Sequence, residues 1–485
     1  MRARFWAGAS LGTALVAASF GACDPGFTID PAGFCLDEPQ DPKCPKPAGA
    51  GGGGTGGTGG SLQGAGGAGS AGIGGTGGTG GGGSAGAPPA CVMPKVDCGG
   101  VCVDLALDDP AHCGACGFAC GAGSTCSQGA CSGFPVVQNV IAPFGLAVDE
   151  TFVYFTVPVQ DVAGSALPVQ RVPREGGAAA EVPFLGTPKF RARAVTLTNG
   201  QLIFGDLDSR QMLQGAATGG SVTPHPAGVQ PAVQQLVVSG GTLLWNLFDG
   251  GNSRVRRTPP FSGGAGGAAG ASGASGASGA GGAGGAGGVQ ELIFQSGRIN
   301  AVDGIDEANV VFWVNFDTSL TPTTGLWRKI GVEAPERLLD VVGMNTVEVS
   351  DGQVFVVDPA GGIRKVPVAA EAPATPTTVV AAADTGGLVQ NLVVEQGKLY
   401  WLAFSAANQL ELHRATLDGA EARVLGRVPV KLPGYWAAPI GPAQMAFFGG
   451  FVYFSDPGTV QGDLQDDNLS GVKGLPDGAI YRLPQ

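Results

Sequence analysis

From Phe134 to Gln485 the chain carries no cysteine and repeats one short, β-rich apolar triplet seven times. The copies are Val153-Tyr154-Phe155, Leu202-Ile203-Phe204, Leu243-Leu244-Trp245, Val311-Phe312-Trp313, Val354-Phe355-Val356, Leu399-Tyr400-Trp401 and Val452-Tyr453-Phe454. Turn signals such as Asn199-Gly200, Gly240-Gly241, Asp351-Gly352 and Gly449-Gly450 precede most of them. An apolar run, a two-residue turn and a second apolar run make a hairpin. A first strand lies upstream of each turn, as in Ala194–Leu197 or Leu392–Val394. A third, usually with a basic residue, lies downstream, as at Arg171, Arg328, Lys365 or Arg482, and a fourth follows in several repeats. Four strands per repeat at a period near 45 residues specify an all-β fold, a seven-bladed β-propeller of four-stranded blades.

Two further features fit that count. The spacings between the last residues of successive triplets are 49, 41, 68, 43, 45 and 53, and the outlier contains a tract of Gly, Ala and Ser over 262–288. Without those 27 residues the spacing becomes 41, so the tract is expected as a disordered insertion between the third and fourth strands of blade three. The seventh repeat stops at its third strand, while Phe134–Val140 is an unassigned strand before repeat one. Placing that segment as the outer strand of blade seven closes the ring and removes its exposed ends.

In the second place after the triplet stand Asp206, Asn315, Asp358 and Asp456, with Val157, Leu247 and Ala403 departing from the pattern. An aromatic pair followed by a polar residue resembles the repeats of YWTD- and NHL-type propellers. The resemblance spans about 350 residues and implies the fold.

The N-terminus reads as an export signal over residues 1–22: Arg2 and Arg4 precede an apolar run from Phe5 to Phe20. Phe20-Gly21-Ala22-Cys23 resembles a bacterial lipobox, with Phe20 where that pattern prefers an aliphatic. The resemblance implies lipidation of Cys23 and a membrane contact through the anchor; ordinary cleavage near Val16-Ala17-Ala18 is the alternative. Of eleven cysteines, lipidation leaves ten for disulfides: Cys35, Cys44, Cys91, Cys98, Cys102, Cys113, Cys116, Cys120, Cys126 and Cys131. Residues 23–47 form the lipidated segment, 48–90 a Gly-rich linker and 91–131 a cysteine-rich module of the kind found beside such tethers in secreted bacterial lipoproteins. Cys113 and Cys116 also have the spacing of a zinc pair, and disulfides are the competing reading. The expected address is the bacterial cell envelope.

A net charge of −12 with 27 basic residues offers no footprint for a phosphate backbone, which argues against nucleic acid. The residues entering the first strands are polar: Arg193, Gln234, Gln235, Asn300, Asn345, Gln390, Asn391 and Gln444. They are expected at the mouth of the channel, as a ring binding an envelope protein, a glycan or a small ligand, or simply as solvated strand ends. Asp463, Asp466, Asp467 and Asn468 are hard oxygen groups in a long loop without EF-hand spacing. No P-loop or H-E-x-x-H pattern occurs, and no cofactor is expected. Asp149, Asp303 and Glu348 near first strands leave a carboxylate-based hydrolase or lyase as the alternative to a binding module, and surface display as a third. The recurring third-strand base and His413 read as solvated surface residues.

Overall fold

The computed structural model describes residues 91–485 apart from 108, 162, 166, 186–190, 230–231, 240–241, 250–251, 259–288, 297, 306–308, 317–324, 341–345, 431–443 and 462–471. Cys23, Cys35, Cys44, the leader, the linker and the tract at 262–288 therefore lie outside the described residues.

Seven antiparallel sheets follow one another along the chain. Their inner strands are Leu146–Val148, Ala192–Thr198, Ala232–Ser239, Arg298–Ile305, Val347–Ser350, Leu388–Glu395 and Met445–Phe448, in blades one to seven. Each inner strand pairs with the next strand in sequence, which pairs with the next outward. In blade three, Asn252–Arg257 pairs with Gln290–Ser296, and Arg257 faces Gln290 across the Gly/Ala/Ser tract. Blade seven is completed by the strand Phe134–Val140, which lies antiparallel to Gly478–Pro484, as the count of repeats requires.

The triplet builds the core because successive side chains of a strand face opposite ways. Its outer two residues pack on the preceding blade and its middle residue on the following one. Val153 and Phe155 share a buried cluster with blade seven, while Tyr154 shares one with blade two. Leu202 and Phe204 face blade one, and Ile203 faces blade three. Among the described residues the core is seven such slabs, one per blade interface.

That alternation also gives the third-strand base its role, which is not the solvated one expected. Arg171, Arg328, Lys365 and Arg482 pair directly across from the middle residues Tyr154, Phe312, Phe355 and Tyr453. Cross-strand partners share a face, so these bases point at the following blade. Each donates to a backbone carbonyl just after that blade's third strand: Arg171 to Ala217, Arg328 to Val368, Lys365 to Leu417 and Arg482 to Arg174. Arg328 is only 5% exposed. The recurring charge staples one blade to the next.

Blade one has a short outer strand. Ala180–Glu181 is its fourth strand, whereas Phe184–Leu185 pairs in parallel with Gly220–Ser221 of blade two. Pro183 between them has no N–H to continue the ladder.

The cysteine-rich module is joined to the ring. Its disulfides are Cys91–Cys102, Cys98–Cys116, Cys113–Cys126 and Cys120–Cys131, each loop overlapping the next. Cys126–Ser127 and Ala130–Ser132 extend blade six, where Cys131 pairs in parallel with Gly426. Cys113, Phe118, Cys120, Cys126 and Cys131 are buried in the slab between blades six and seven, and Arg423 lies 4.6 Å from the centre of the Phe118 ring.

Candidate functional site

In a four-stranded meander the loops joining second to third strands, and the connections between blades, fall on one face. The chain enters every inner strand from that face. There the inner strands share an irregularity. In blade two, Arg193 and Ala194 together oppose Gly205 between the pairs Ala192–Asp206 and Val195–Phe204. Gln234 is the extra residue in blade three, Asn300 in blade four and Gln390 in blade six. In blade one the Phe144 N–H donates to the Thr156 carbonyl (2.9 Å) while the Thr156 N–H donates to the Gly145 carbonyl (3.0 Å), so two residues again face one. These are β-bulges, which bend a strand and re-aim a side chain. Four of the polar positions read from the sequence, Arg193, Gln234, Asn300 and Gln390, fall on these bulges.

Arg193 is 4% exposed, with its guanidinium 5.8 Å from the centre of the Phe144 ring, and its carbonyl accepts the Thr156 hydroxyl at 3.0 Å. Gln390 is 2% exposed, and its Nε2 is buried without a hydrogen-bond partner. Gln234 is the bulged residue of blade three, and Asn391 follows the bulge of blade six. Gln235 is committed to the next blade, its Oε1 accepting the Val302 N–H at 3.0 Å. Beside the start of the seventh inner strand, the Gln444 carbonyl accepts the Ser455 N–H and the Gln444 N–H donates to the Ser455 hydroxyl, 3.3 Å each. The Asn300 side chain and all of Asn345 lie outside the described residues.

The residues after the triplets cap the loops of this face. Asp206 accepts the N–H groups of Asp208 and Ser209, Asp358 those of Ala360 and Gly362, and Asp456 that of Gly458. Such caps hold tight turns as a backbone bond would. The long loops of blades seven and one are joined: Gln160 donates to the Val472 carbonyl and accepts from Gly474 N–H (3.0 and 2.9 Å). Asp463, Asp466, Asp467 and Asn468 lie outside the described residues.

Of the three carboxylates considered for catalysis, Asp149 is separated from the other two. Asp149 sits at the opposite face, accepting the N–H groups of Thr151 and Phe152 and the Tyr154 hydroxyl (2.7 Å each). Asp303 and Glu348 occupy equivalent places on the inner strands of blades four and five, opposite Phe312 and Phe355. Asp303 Oδ2 accepts the Val349 N–H at 2.7 Å, and Glu348 Oε1 accepts the Val394 N–H at 3.1 Å. Both carboxyls are thus spent on joints between neighbouring inner strands. Burial pushes Asp303 up to about 7, against the pull of its two backbone bonds. Burial first, then the Asp303 charge, raises Glu348 well above the usual carboxyl range.

His413 is also not the surface residue expected. It is 3% exposed, stacked on Trp401 (centroids 5.0 Å apart), and its Nε2 lies 3.1 Å from Glu411 Oε2. Glu411 in turn accepts Arg427 Nε at 2.8 Å. The Trp401 indole donates to the Thr385 carbonyl at 2.9 Å, tying down the connection between blades five and six. This cluster positions the rim of the candidate face.

As for metal, the sulfurs of Cys113, Cys120 and Cys131 lie within 4.8 Å of one another, but each is one half of a disulfide. They have no thiolate to offer a cation. Cys113 and Cys116, the pair with zinc spacing, belong to different disulfides.

What the arrangement offers chemically is hydrogen bonding: side-chain amides and one guanidinium at bulged strand entries. The signal missed in the sequence is the bulge itself, a one-residue insertion visible only once strands are paired.

No family model matches the chain, and no curated protein matches it. Among solved structures, similarity is found to the WD40 propeller domain of Doa1 (12% identity, 72% of this chain and 95% of that one, TM-score 0.44). It is also found to YCF48 from Cyanidioschyzon merolae (8% identity, 72% and 97%, TM-score 0.42). A third is the computationally designed Ika8 protein (11% identity, 73% and 99%, TM-score 0.38). Nothing about ligand or activity follows from likeness at this level.

Proposed function

We propose that this is an exported, lipid-anchored propeller of the bacterial cell envelope whose bulged face binds a partner, an envelope protein in the first instance. The observation that carries the binding reading is Gln390. It places a buried, unsatisfied amide donor at a bulge of the channel entry. An unmade buried hydrogen bond costs roughly 1–3 kcal/mol, which an acceptor that reaches this amide recovers. Supporting it are the equivalent bulges at Phe144, Arg193, Gln234 and Asn300 and the turn caps at Asp206, Asp358 and Asp456. Those same caps support the YWTD/NHL-like character of the repeats. The enzyme reading has less support, since Asp303 and Glu348 already serve backbone N–H groups and Asp149 lies on the other face.

The address rests on the Arg2/Arg4 leader and the Gly21-Ala22-Cys23 ending. Metabolic labelling with a fatty-acid probe in a bacterial host should mark the protein, and Cys23→Ala should abolish the label. Labelling that survives the substitution contradicts the anchor. For binding, cross-linked capture from envelope extracts should retain a partner on the wild type and lose it on Gln390→Ala, with unchanged melting behaviour. Equal capture by a folded Gln390→Ala protein removes the bulged face from consideration.

A further inference from the structure

Asp303 and Glu348 are two buried acids, 4% and 7% exposed, at equivalent positions of adjacent blades. Each reaches one residue further along the next inner strand, at a sequence separation of 46 in both cases. Among the described residues neither forms an ion pair. Asp303 faces the backbone N–H groups of Gly304 and Val349, and Glu348 faces Val394 N–H together with the acids Asp303 and Glu395. Glu395, from the inner strand of blade six, is itself raised by partial burial. Among the described residues of blades four, five and six, no cation enters this set.

Two neighbouring buried carboxyls without a cation cannot both ionise cheaply, because desolvation and like charge act in the same direction. A protonated carboxyl still accepts a backbone N–H through its carbonyl oxygen, so both joints persist while the pair keeps a proton. We propose that the Asp303–Glu348 pair is a proton-operated joint in the wall of the channel, closed while it holds a proton and loosened between blades four, five and six when that proton leaves. The device is independent of any partner bound at the channel mouth.

The sign follows from linkage. Both groups bind protons more tightly in the folded chain than in the unfolded one, where carboxyls titrate near ~4. The folded state is therefore favoured at acid pH, and stability is lost as pH rises from there through the raised folded values. Glu348→Gln keeps an oxygen to accept Val394 N–H and removes one titrating group.

The test is hydrogen exchange at the Val349 and Val394 amides of the full-length protein, at pH 5 and pH 8. Protection is referred to an inner strand of blade two and corrected for intrinsic base catalysis. The wild type should lose protection at both amides by about tenfold or more, because a carboxyl raised this far holds its proton at least that much more tightly in the folded chain. Glu348→Gln should lose much less at Val394, and the double variant with Asp303→Asn much less at both amides. Infrared spectra of the wild type should retain a protonated-carboxyl band at pH 7 that Glu348→Gln or Asp303→Asn weakens and the double variant removes. If a variant fails to fold, the wild-type band and exchange decide alone. Absence of the band at pH 7, or equal pH dependence in wild type and Glu348→Gln, overturns the proposal. So does restoration of protection at pH 8 by a divalent cation, which would make the pair a cation site.

Discussion

Arg328 shows what a single side chain does in this ring. Its guanidinium donates to the Val368 carbonyl of blade five and is held in place by Glu336. Removing it leaves a part-buried carbonyl unmet and uncovers the slab beneath, so Arg328→Ala should cost about 2–3 kcal/mol in urea denaturation. Arg328→Lys, which keeps a donor but not the fork, should recover part of that. An alanine variant with wild-type stability would return the residue to the solvated role its charge suggests. Gly387 makes the same point for the backbone. Its φ is +142° and an added Cβ would lie 2.1 Å from the Phe404 carbonyl oxygen. Gly387→Ala should destabilise by about 2 kcal/mol or more and disturb the Thr385–Trp401 contact, measured as a change in tryptophan emission.

At the scale of elements, the cysteine-rich module behaves as an extension of blade six. Four overlapping disulfides stand in for a core that its roughly forty residues cannot form, and the Cys120–Cys131 bridge holds the segment that pairs with Gly426. Replacing both cysteines by serine should cost roughly 3 kcal/mol and lower the melting temperature of the propeller itself. A variant that melts normally would show the module to be an independent unit. This docking is not legible in the sequence, because two parallel residue pairs leave no local periodicity. The hairpins are legible: a buried triplet, in most copies behind a Gly or Asn turn, is a local signal repeated seven times. The third-strand base is visible too, and its regular place opposite the triplet's middle residue is what distinguishes a repeated contact from a solvated charge. His413 gives no such warning. Its burial depends on Trp401, Glu411 and the Thr385 connection, which only folding brings together.

For the whole molecule, the sequence carries the number of blades and the manner of closure, since both follow from counting strands. It does not carry the bulged entries, so polarity finds the candidate residues while their shared geometry stays hidden until strands pair. Arg257 and Gln290, the strand ends that flank the Gly/Ala/Ser tract in sequence, pair at the face away from the bulges. Excising 262–288 should leave both stability and capture at the channel mouth unchanged, and loss of either would place the tract in the function. All of these contacts depend on a ring whose first strand is its last. Phe134–Val140 is held by Gly478–Pro484, whose Arg482 lies between the Phe134 and Phe451 rings, 4.8 and 5.1 Å from their centres. Equilibrium urea denaturation of a chain truncated after Leu475 therefore tests the architecture most directly. The truncated protein should lose the transition of the whole propeller, because blades one and seven lose their shared slab together. A truncated chain that unfolds at the same urea concentration and with the same cooperativity as the full-length protein would contradict the closed ring.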